Sequence, residues 1–144
     1  GAVDGIGRAL PAAAVVGAHT YLVTAVSRGE VSGASARLPA ATLAGTGALA
    51  AAVLAGRRNG AGRPAGGVAS LLTGSYLRRF ATAQALAVRE PGAAQLRAAV
   101  SSGITSLPML QGALTARAGR PLAGLIVAAA APLGRRLARR ISPT

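Results

Sequence analysis

Five apolar stretches alternate with short polar connections along this chain. Three of them carry no charge and are 18 or 19 residues long, at residues 10–27, 38–56 and 98–116. A helix needs about 20 apolar residues to cross the hydrocarbon core of a bilayer, with a range of about 17 to 25. These three stretches are therefore predicted to be membrane-spanning helices, the third bent at Pro108.

Two further stretches are weaker candidates for spanning a membrane. Residues 66–88 are long enough but hold Arg78 and Arg79 near their middle, and residues 122–134 number only 13. The shorter stretch reaches spanning length if the arginines that follow it extend to the membrane surface. Short connections rich in Gly, Pro or Arg favour antiparallel neighbours. The sequence predicts an all-α fold, a single membrane domain over residues 1–144 built as a polytopic transmembrane bundle of about five helices.

Small residues recur at intervals of four in the second stretch, at Ala40, Ala44, Ala48 and Ala52. On a helix such residues form a ridge that lets another helix approach closely within lipid. A composition biased towards Ala and Arg explains the same pattern without any helix contact.

The composition favours a membrane protein over other basic proteins. Hydrophobic residues make up 51% of the chain, which is too much for a disordered basic tail. The net charge of +13 is typical of nucleic-acid binding, but the basic residues are all Arg and flank apolar stretches, and only 2% of residues are aromatic and able to stack on bases. No nucleic-acid partner is therefore predicted. Cysteine is absent and there is a single His, which excludes thiolate metal sites and zinc sites built on several histidines.

The arginines also bear on orientation in the membrane. With five spans, the turn after the first, the turn after the third and the C-terminus share one side. That side carries eight arginines and the opposite side six, so the positive-inside rule slightly favours a cytoplasmic turn at Arg28 and Glu30.

The first apolar stretch is predicted to have a polar face that ends in charged residues. Helical spacing brings four residues into one broad arc: Thr20, Thr24, Ser27 and Arg28. His19 and Glu30, eleven residues apart and almost three whole turns, flank the same arc. The candidate cavity residues are His19, Thr20, Thr24 and Ser27. These four are predicted to line a cavity, because polar groups in a membrane helix commonly face a pathway or a ligand. Alternatively, the hydroxyls bond to their own helix, His19 pairs with a neighbour, and Arg28 and Glu30 form an interfacial salt bridge.

Arg78 and Arg79 are the other unusual feature. A charge at the centre of a bilayer costs about 2.5 to 3.5 kcal/mol on insertion scales, so it normally lies among polar groups. A guanidinium donates a fork of hydrogen bonds to phosphate oxygens, so the pair is a candidate site for a diphosphate. The alternative is a shifted or tilted helix whose two arginines reach the interface. The arginines of residues 135–140 are interpreted as an anchor at an anionic membrane face.

Residues 19–35, HTYLVTAVSRGEVSGAS, precede an Ala-rich helix. This segment resembles the sixth transmembrane helix and following loop of UbiA-superfamily intramembrane prenyltransferases, most closely the actinobacterial and EboC-like branch. The Arg-rich end closing in Ser-Pro-Thr is also similar. The resemblance covers the whole chain and corresponds to the C-terminal half of a full enzyme, so we expect the chain alone to be inactive and its partner to be the missing N-terminal half.

The resemblance implies a bundle of about nine helices around a cavity open to lipid, in a bacterial plasma membrane. Two acidic motifs of the family hold Mg²⁺, which bridges an isoprenyl diphosphate; its prenyl group is transferred to an acceptor, here unknown. The second motif corresponds to residues 27–35, where Glu30 is the one carboxylate and the implied metal ligand. Arg28 is then implied to bind the diphosphate together with Arg78 and Arg79. No catalytic residue is predicted.

Two other functions remain open from the sequence. One is a non-catalytic multi-pass membrane protein, either half of a transporter or a structural helix array. The other is a basic amphipathic protein bound to membrane surfaces, which three uncharged stretches of spanning length argue against.

Overall fold

Hydrophobic stretches become helices throughout the part of the chain that can be described. A computed structural model describes residues 2–31, 34–56 and 63–141, and within these ranges it contains five helices and no strand. The helices are α1 (Ala2–Ser27), α2 (Arg37–Ala55), α3 (Arg63–Arg89), α4 (Ala93–Arg117) and α5 (Pro121–Ile141). The all-α prediction is confirmed, and each predicted stretch lies mainly within one helix of its own.

Two helices of the described residues are long and apolar enough to cross a membrane. They are Ala9–Ser27 of α1 and Arg37–Ala55 of α2, while the apolar part of α5, Pro121–Gly134, is shorter. The predicted span at residues 98–116 does not meet this criterion. Those residues carry no charge, but they include several Ser and Thr side chains and Gln111, so the stretch is uncharged without being strongly hydrophobic.

In a bundle of alternating antiparallel helices, the helix ends and connecting turns gather at two opposite ends of the bundle. Contacts at both ends show this arrangement. At one end, the backbone N–H of Ala34 donates to the carbonyl of Pro91 at 3.3 Å, which joins the turn after α1 to the turn after α3. At the other end, Arg117 donates to the carbonyl of Val53 at 3.2 Å and so satisfies an acceptor at the C-terminus of α2. The turns after α1 and α3 therefore lie at the same end of the bundle, as the alternation of five helices predicts.

α3 and α4 form the centre of the bundle, with α2 against α3, α1 across α4 and α2, and α5 against α4 and α3. The main core draws on four helices: Leu49, Val53, Leu72, Tyr76, Phe80, Leu110, Ala113 and Ala128. A smaller cluster closes the end of the bundle where α1 ends: Val26, Ala87, Leu96, Ala99 and Val100. Burial of these side chains from water or lipid contact sets the relative rotation of the helices.

Backbones come into contact where α4 crosses α5. A Cβ atom added to Gly112 would clash with the carbonyl oxygen of Gly124, and one added to Gly124 would lie 2.5 Å from that of Gly112. Any side chain at either position would push the two helices apart. The predicted small-residue ridge of α2 does not form such a close helix contact, because its four alanines are exposed. The close small-residue contact therefore exists, but between α4 and α5.

Candidate functional site

A buried polar cluster lies at the centre of the bundle. The Nδ1 atom of His19 on α1 is 3.0 Å from the hydroxyl oxygen of Tyr76 on α3, and both side chains are almost fully enclosed. The imidazole also packs edge-on against the rings of Tyr76 and Phe80, with 5.4 Å between ring centroids in each pair. His19 thus has a specific partner, in agreement with the alternative in which it pairs with a neighbour.

The other two central helices contribute to the same cluster. The carbonyl of Gly103 on α4 lies beside the imidazole of His19, and the hydroxyl of Thr46 on α2 lies beside Tyr76. A Cβ atom on Gly103 would approach within 2.9 Å of the Phe80 ring, so glycine is needed for α4 to come this close. Four helices are therefore joined through polar contacts around one imidazole. Such a cluster favours a unique packing over a slipped one.

The hydroxyl groups on the predicted polar face of α1 form hydrogen bonds to the backbone of the same helix. Thr20, Thr24 and Ser27 donate hydrogen bonds to carbonyls three or four residues earlier, at 2.8 to 3.0 Å. His19, Thr20 and Thr24 do line a small cavity of about 140 Å³ between α1 and α4, together with apolar side chains that include Ile104. Ser27 does not line it. Because the hydroxyl protons are already used, this cavity offers a ligand mainly apolar surface.

Arg28 and Glu30 lie in the turn that follows α1. Among the described side chains no ion pair joins them, so the alternative of an interfacial salt bridge between these two residues is not formed. The turn is held instead by backbone contacts: the carbonyl of Glu30 accepts a hydrogen bond from Arg97 at 3.3 Å, and its N–H donates to the Ser27 carbonyl at 3.0 Å. Arg28 is exposed and Glu30 is half-buried.

Glu30 offers the implied magnesium ion one carboxylate, and the described residues add no pair of acidic or histidine ligands beside it. No group of three His, Asp or Glu side chains that would hold a metal ion occurs there. The other described carboxylate, Glu90, accepts a hydrogen bond from Gln95 at 3.0 Å. Mg²⁺ in proteins is usually held through one or two carboxylates together with substrate phosphates, so Glu30 alone would supply the smaller of these carboxylate sets. The implied metal therefore remains a prediction, and no chemical step is derived through it.

Arg78 and Arg79 lie together on a different surface of the bundle. They line an open groove of about 410 Å³ between α3 and α4, whose wall consists of Arg78, Arg79, Thr82, Ala83, Leu86 and Ser102. Ser102 donates to the carbonyl of Arg79 at 2.9 Å, which ties α4 to α3 at the floor of the groove. Neither Glu30 nor Glu90 lines this groove, so no carboxylate of the described residues borders the two guanidinium groups.

The structure does not bring Arg28 into this groove. The end of α1 packs at the level of Ala87, since Val26 and Ala87 belong to the same core cluster. Ala87 is eight residues beyond Arg79 on α3, about 12 Å at 1.5 Å per residue. The three arginines implied to bind one diphosphate therefore divide into a pair in the groove and a separate residue at the end of the bundle.

Tyr76, Thr46 and Gln84 are site residues that the sequence reasoning missed. Tyr76, Phe80 and Gln84 follow at intervals of four, a helical period that identifies the inner face of α3. Charge is the most conspicuous feature of this helix in the sequence, and it marks Arg78 and Arg79 but not the inner face. Gln84 is fully enclosed, and neither of its amide atoms has a hydrogen-bond partner among the described residues.

Comparison with known proteins identifies no relative of this chain. No protein-family model matches it, and neither does any curated protein or solved structure.

Proposed function

We propose that this chain is a membrane-embedded helix bundle that binds an isoprenyl diphosphate as part of a UbiA-like prenyltransferase. The observation that carries the proposal is the groove of Arg78 and Arg79, two adjacent guanidinium groups with no carboxylate of the described residues beside them. The resemblance of residues 19–35 supplies the reaction class.

Membrane insertion is supported by how little of the apolar helices the bundle covers. Only 11% of Ala9–Ser27 and 33% of Arg37–Ala55 is buried inside the bundle. Large apolar side chains on other helices are also uncovered, among them Leu71, Ile104 and Ile126. Soluble monomers rarely expose apolar surface of such extent, whereas lipid chains cover it without cost.

The groove suits a molecule that is anionic at one end and apolar at the other. Arg78 and Arg79 can each donate paired hydrogen bonds to phosphate oxygens. Ala83 and the half-exposed Leu86 lie along the same wall, one to two turns further on. A diphosphate held by the arginines would leave its hydrocarbon chain against these residues and the surrounding lipid.

In the proposed reaction, the bond between the prenyl carbon and the diphosphate breaks, the resulting allylic cation forms a bond to an acceptor, and the alkylated acceptor releases a proton to water. Negative charge grows on the departing diphosphate during this step. Guanidinium groups fixed beside it stabilise that charge more in the transition state than in the ground state. The residues that bind and orient the acceptor are not assigned.

Ligand binding by the purified chain tests the groove. Binding of geranylgeranyl diphosphate is measured in detergent by equilibrium dialysis, with geranylgeraniol as the ligand that lacks phosphate. We expect R78Q/R79Q to weaken diphosphate binding by at least about tenfold, the effect of losing one charge-assisted contact. The matched control is R89Q, an exposed arginine of the same helix outside the groove, and it should bind as the parent does. Equal binding of the diphosphate and the alcohol would contradict the proposal.

Membrane insertion is tested separately by washing membranes from cells that produce the chain. An integral bundle stays in the pellet after alkaline carbonate and after high salt. Release by either wash would support the peripheral, surface-bound alternative instead.

A non-catalytic multi-pass protein is the second candidate, and a specific observation favours it. The central polar groups His19, Tyr76 and Thr46 bond to one another or to the backbone, and Gly112 and Gly124 bring α4 and α5 together, as in a structural helix array. This candidate predicts that R28A, E30Q and R78Q/R79Q all assemble normally, and that the parent chain does not distinguish the diphosphate from the alcohol.

A further inference from the structure

Gln84 of α3 is a buried polar residue without a hydrogen-bond partner in the described part of the chain. Its side chain is fully enclosed, and neither the Nε2 nor the Oε1 atom of its amide is bonded there. The other enclosed polar side chains of that part each bond to another residue or to their own helix: His19, Thr42, Thr46, Thr73 and Ser106. A buried amide left unbonded destabilises the folded chain, so Gln84 marks a position where a bound molecule would contribute hydrogen bonds.

Val23 of α1 lies in the same layer of the bundle as Gln84. Val26 and Ala87 belong to one core cluster, and α1 and α3 run in the same direction because the helices alternate. Gln84 precedes Ala87 by three residues, which is about 4.5 Å along the helix. Val23 precedes Val26 by the same number of residues. Val23 also packs against the cluster that contains Phe80, one turn before Gln84, so its side chain spans the level of Gln84.

The Val23 side chain is also a wall of the cavity of about 140 Å³ between α1 and α4. A Cβ atom added to Gly103 would lie 2.6 Å from the Cγ2 atom of Val23, so this side chain is in close contact with α4. One branched side chain is therefore common to the cavity and to the layer that contains Gln84.

The size and the walls of the cavity define the apolar part of a ligand. A cavity of about 150 Å³ holds a molecule the size of benzene, and Ile104 and Leu107 supply apolar walls here. The hydroxyl groups of Thr20 and Thr24 donate to carbonyls of α1, so their protons are already used. The cavity therefore suits a compact apolar body of about six heavy atoms.

The surroundings of Gln84 define the polar part of the ligand. The neighbouring core cluster is apolar, and no Arg, Asp or Glu of the described residues lines the cavity. An ionic group placed there would lose its hydration without gaining a counter-charge. A hydroxyl group both donates and accepts, so it can bond to either atom of an amide. These features favour a neutral ligand with a hydroxyl group.

α1 is the helix that can move to admit such a molecule. Only 11% of its apolar part, Ala9–Ser27, is buried inside the bundle. On its side facing away from the cavity, a groove of about 440 Å³ lies between residues 14–22 of α1 and residues 45–52 of α2. A helix with so little buried surface opens at a lower free-energy cost than the central helices α3 and α4.

We propose that the cavity between α1 and α4 continues past Val23 to Gln84 and forms a binding site for a small neutral molecule with a hydroxyl group. Movement of α1 at Val23 opens the site, the amide of Gln84 bonds to the hydroxyl group, and any apolar body of the ligand lies in the cavity. Water and a short-chain alcohol share this chemistry. Gln84 does not line the groove of Arg78 and Arg79, so the inference is independent of the proposed diphosphate binding.

Cysteine labelling tests the access to Gln84, because the chain has no cysteine of its own. Three single variants of the full chain are compared: Q84C, A87C at an equally enclosed position, and T82C at an exposed position of the same helix. We expect methyl methanethiosulfonate, a small neutral thiol reagent, to modify Q84C at least about tenfold faster than A87C and more slowly than T82C. Equal rates for Q84C and A87C would show that no path leads to Gln84, and the proposal would be wrong.

Far-UV circular dichroism confirms that each variant is folded. If A87C unfolds, A69C takes its place as the control, because Ala69 is also buried on α3. The same difference in labelling rate is expected.

The role of the amide is tested with 1-butanol and pentane, which differ by a hydroxyl group in place of a methyl group. Dissociation constants are measured by ligand-observed NMR in one detergent for the parent chain, for Q84M and for Q111M, which changes an exposed glutamine of α4. We expect Q84M to weaken the binding of 1-butanol by about fivefold, the loss of one hydrogen bond, and that of pentane by less than about twofold. Q111M should bind both as the parent does.

The outcomes distinguish the two sources of the hydroxyl group. Selective weakening of 1-butanol binding by Q84M assigns the site to an alcohol. Rapid labelling of Q84C without any effect of Q84M on 1-butanol binding assigns it to water. Both results support a hydroxyl site at Gln84. Equal weakening of 1-butanol and pentane overturns the proposal, because the amide then affects only the shape of the cavity.

Discussion

Two groups of polar side chains lie within three residues of each other on α3. One group is enclosed in the core, and the other borders an open groove. On the inner face, the Tyr76 hydroxyl is enclosed and lies 3.0 Å from the imidazole of His19. On the other face, Arg78 and Arg79 line an open groove that no described carboxylate enters. Tyr76 and His19 thus have each other as partners within the bundle, whereas no described carboxylate lies beside the two arginines in the groove.

This difference distinguishes polar groups that stabilise the packing of the helices from polar groups that are open to a ligand. A buried hydroxyl or imidazole is tolerated only when it is hydrogen-bonded, so the inner cluster contributes to one specific packing of four helices. Exposed guanidinium groups contribute little to stability and are available to a ligand. Stability should therefore respond to changes on the inner face, and binding to changes on the outer face.

Removing the Tyr76 side chain should have the largest effect on stability. Tyr76→Ala leaves a cavity in the core and takes away the partner of His19, so we expect a loss of about 3–5 kcal/mol in the free energy of unfolding. Denaturant unfolding in detergent, followed by far-UV circular dichroism, measures it. The control is Leu71→Ala on the exposed side of the same helix, expected within about 0.5 kcal/mol of the parent. Equal losses would remove the distinction between the faces.

Adding a methyl group at Gly103 should be the next most damaging change. In Gly103→Ala the new carbon would lie 2.6 Å from Val23 and 2.9 Å from Phe80, so the helices must separate at a cost of about 1–3 kcal/mol. Gly74→Ala is the matched control, because nothing lies within 4 Å of a Cβ at that position. It should stabilise the chain by up to about 1 kcal/mol, the ordinary gain of Ala over Gly in a helix. Destabilisation by both substitutions to the same degree would show that close packing is not the cause.

The contact between His19 and Tyr76 should be measurable as a coupling. A double-mutant cycle of His19→Leu and Tyr76→Phe is expected to give a coupling energy of about 0.5–1.5 kcal/mol, the net contribution of one buried hydrogen bond. The same cycle between Tyr76→Phe and Thr20→Val should give a value near zero, because Thr20 bonds only to its own helix at Val16. Additive effects of His19 and Tyr76 would mean that the rings pack without a hydrogen bond.

Neutralising the groove should affect stability least. R78Q/R79Q is expected to change the free energy of unfolding by no more than about 0.5 kcal/mol, measured in the same detergent without added ligand. Binding of the diphosphate should nevertheless fall as proposed above. A large loss of stability would mean that the two arginines, like the inner cluster, have a structural role.

Much of the fold follows from local patterns. The five apolar stretches predicted the five helices, and the short turns predicted which helix ends meet. A helical period also identifies the inner face of α3 once Tyr76, Phe80 and Gln84 are read together. The site was less accessible to prediction. Arg28 and Arg79 were placed in one diphosphate site because a sequence pattern does not give the distance between two residues on different helices.

The helices, their order and their alternating direction follow from the amino-acid sequence alone, because apolar length and turn chemistry are local properties of a few neighbouring residues. Which helix faces meet became known from the folded arrangement. It turned the alanines of α2 outward, brought Gly112 against Gly124, and enclosed His19 with Tyr76. The physical reason is that rotation of a helix about its axis is set by the best simultaneous packing of all its neighbours, and no single segment contains that information.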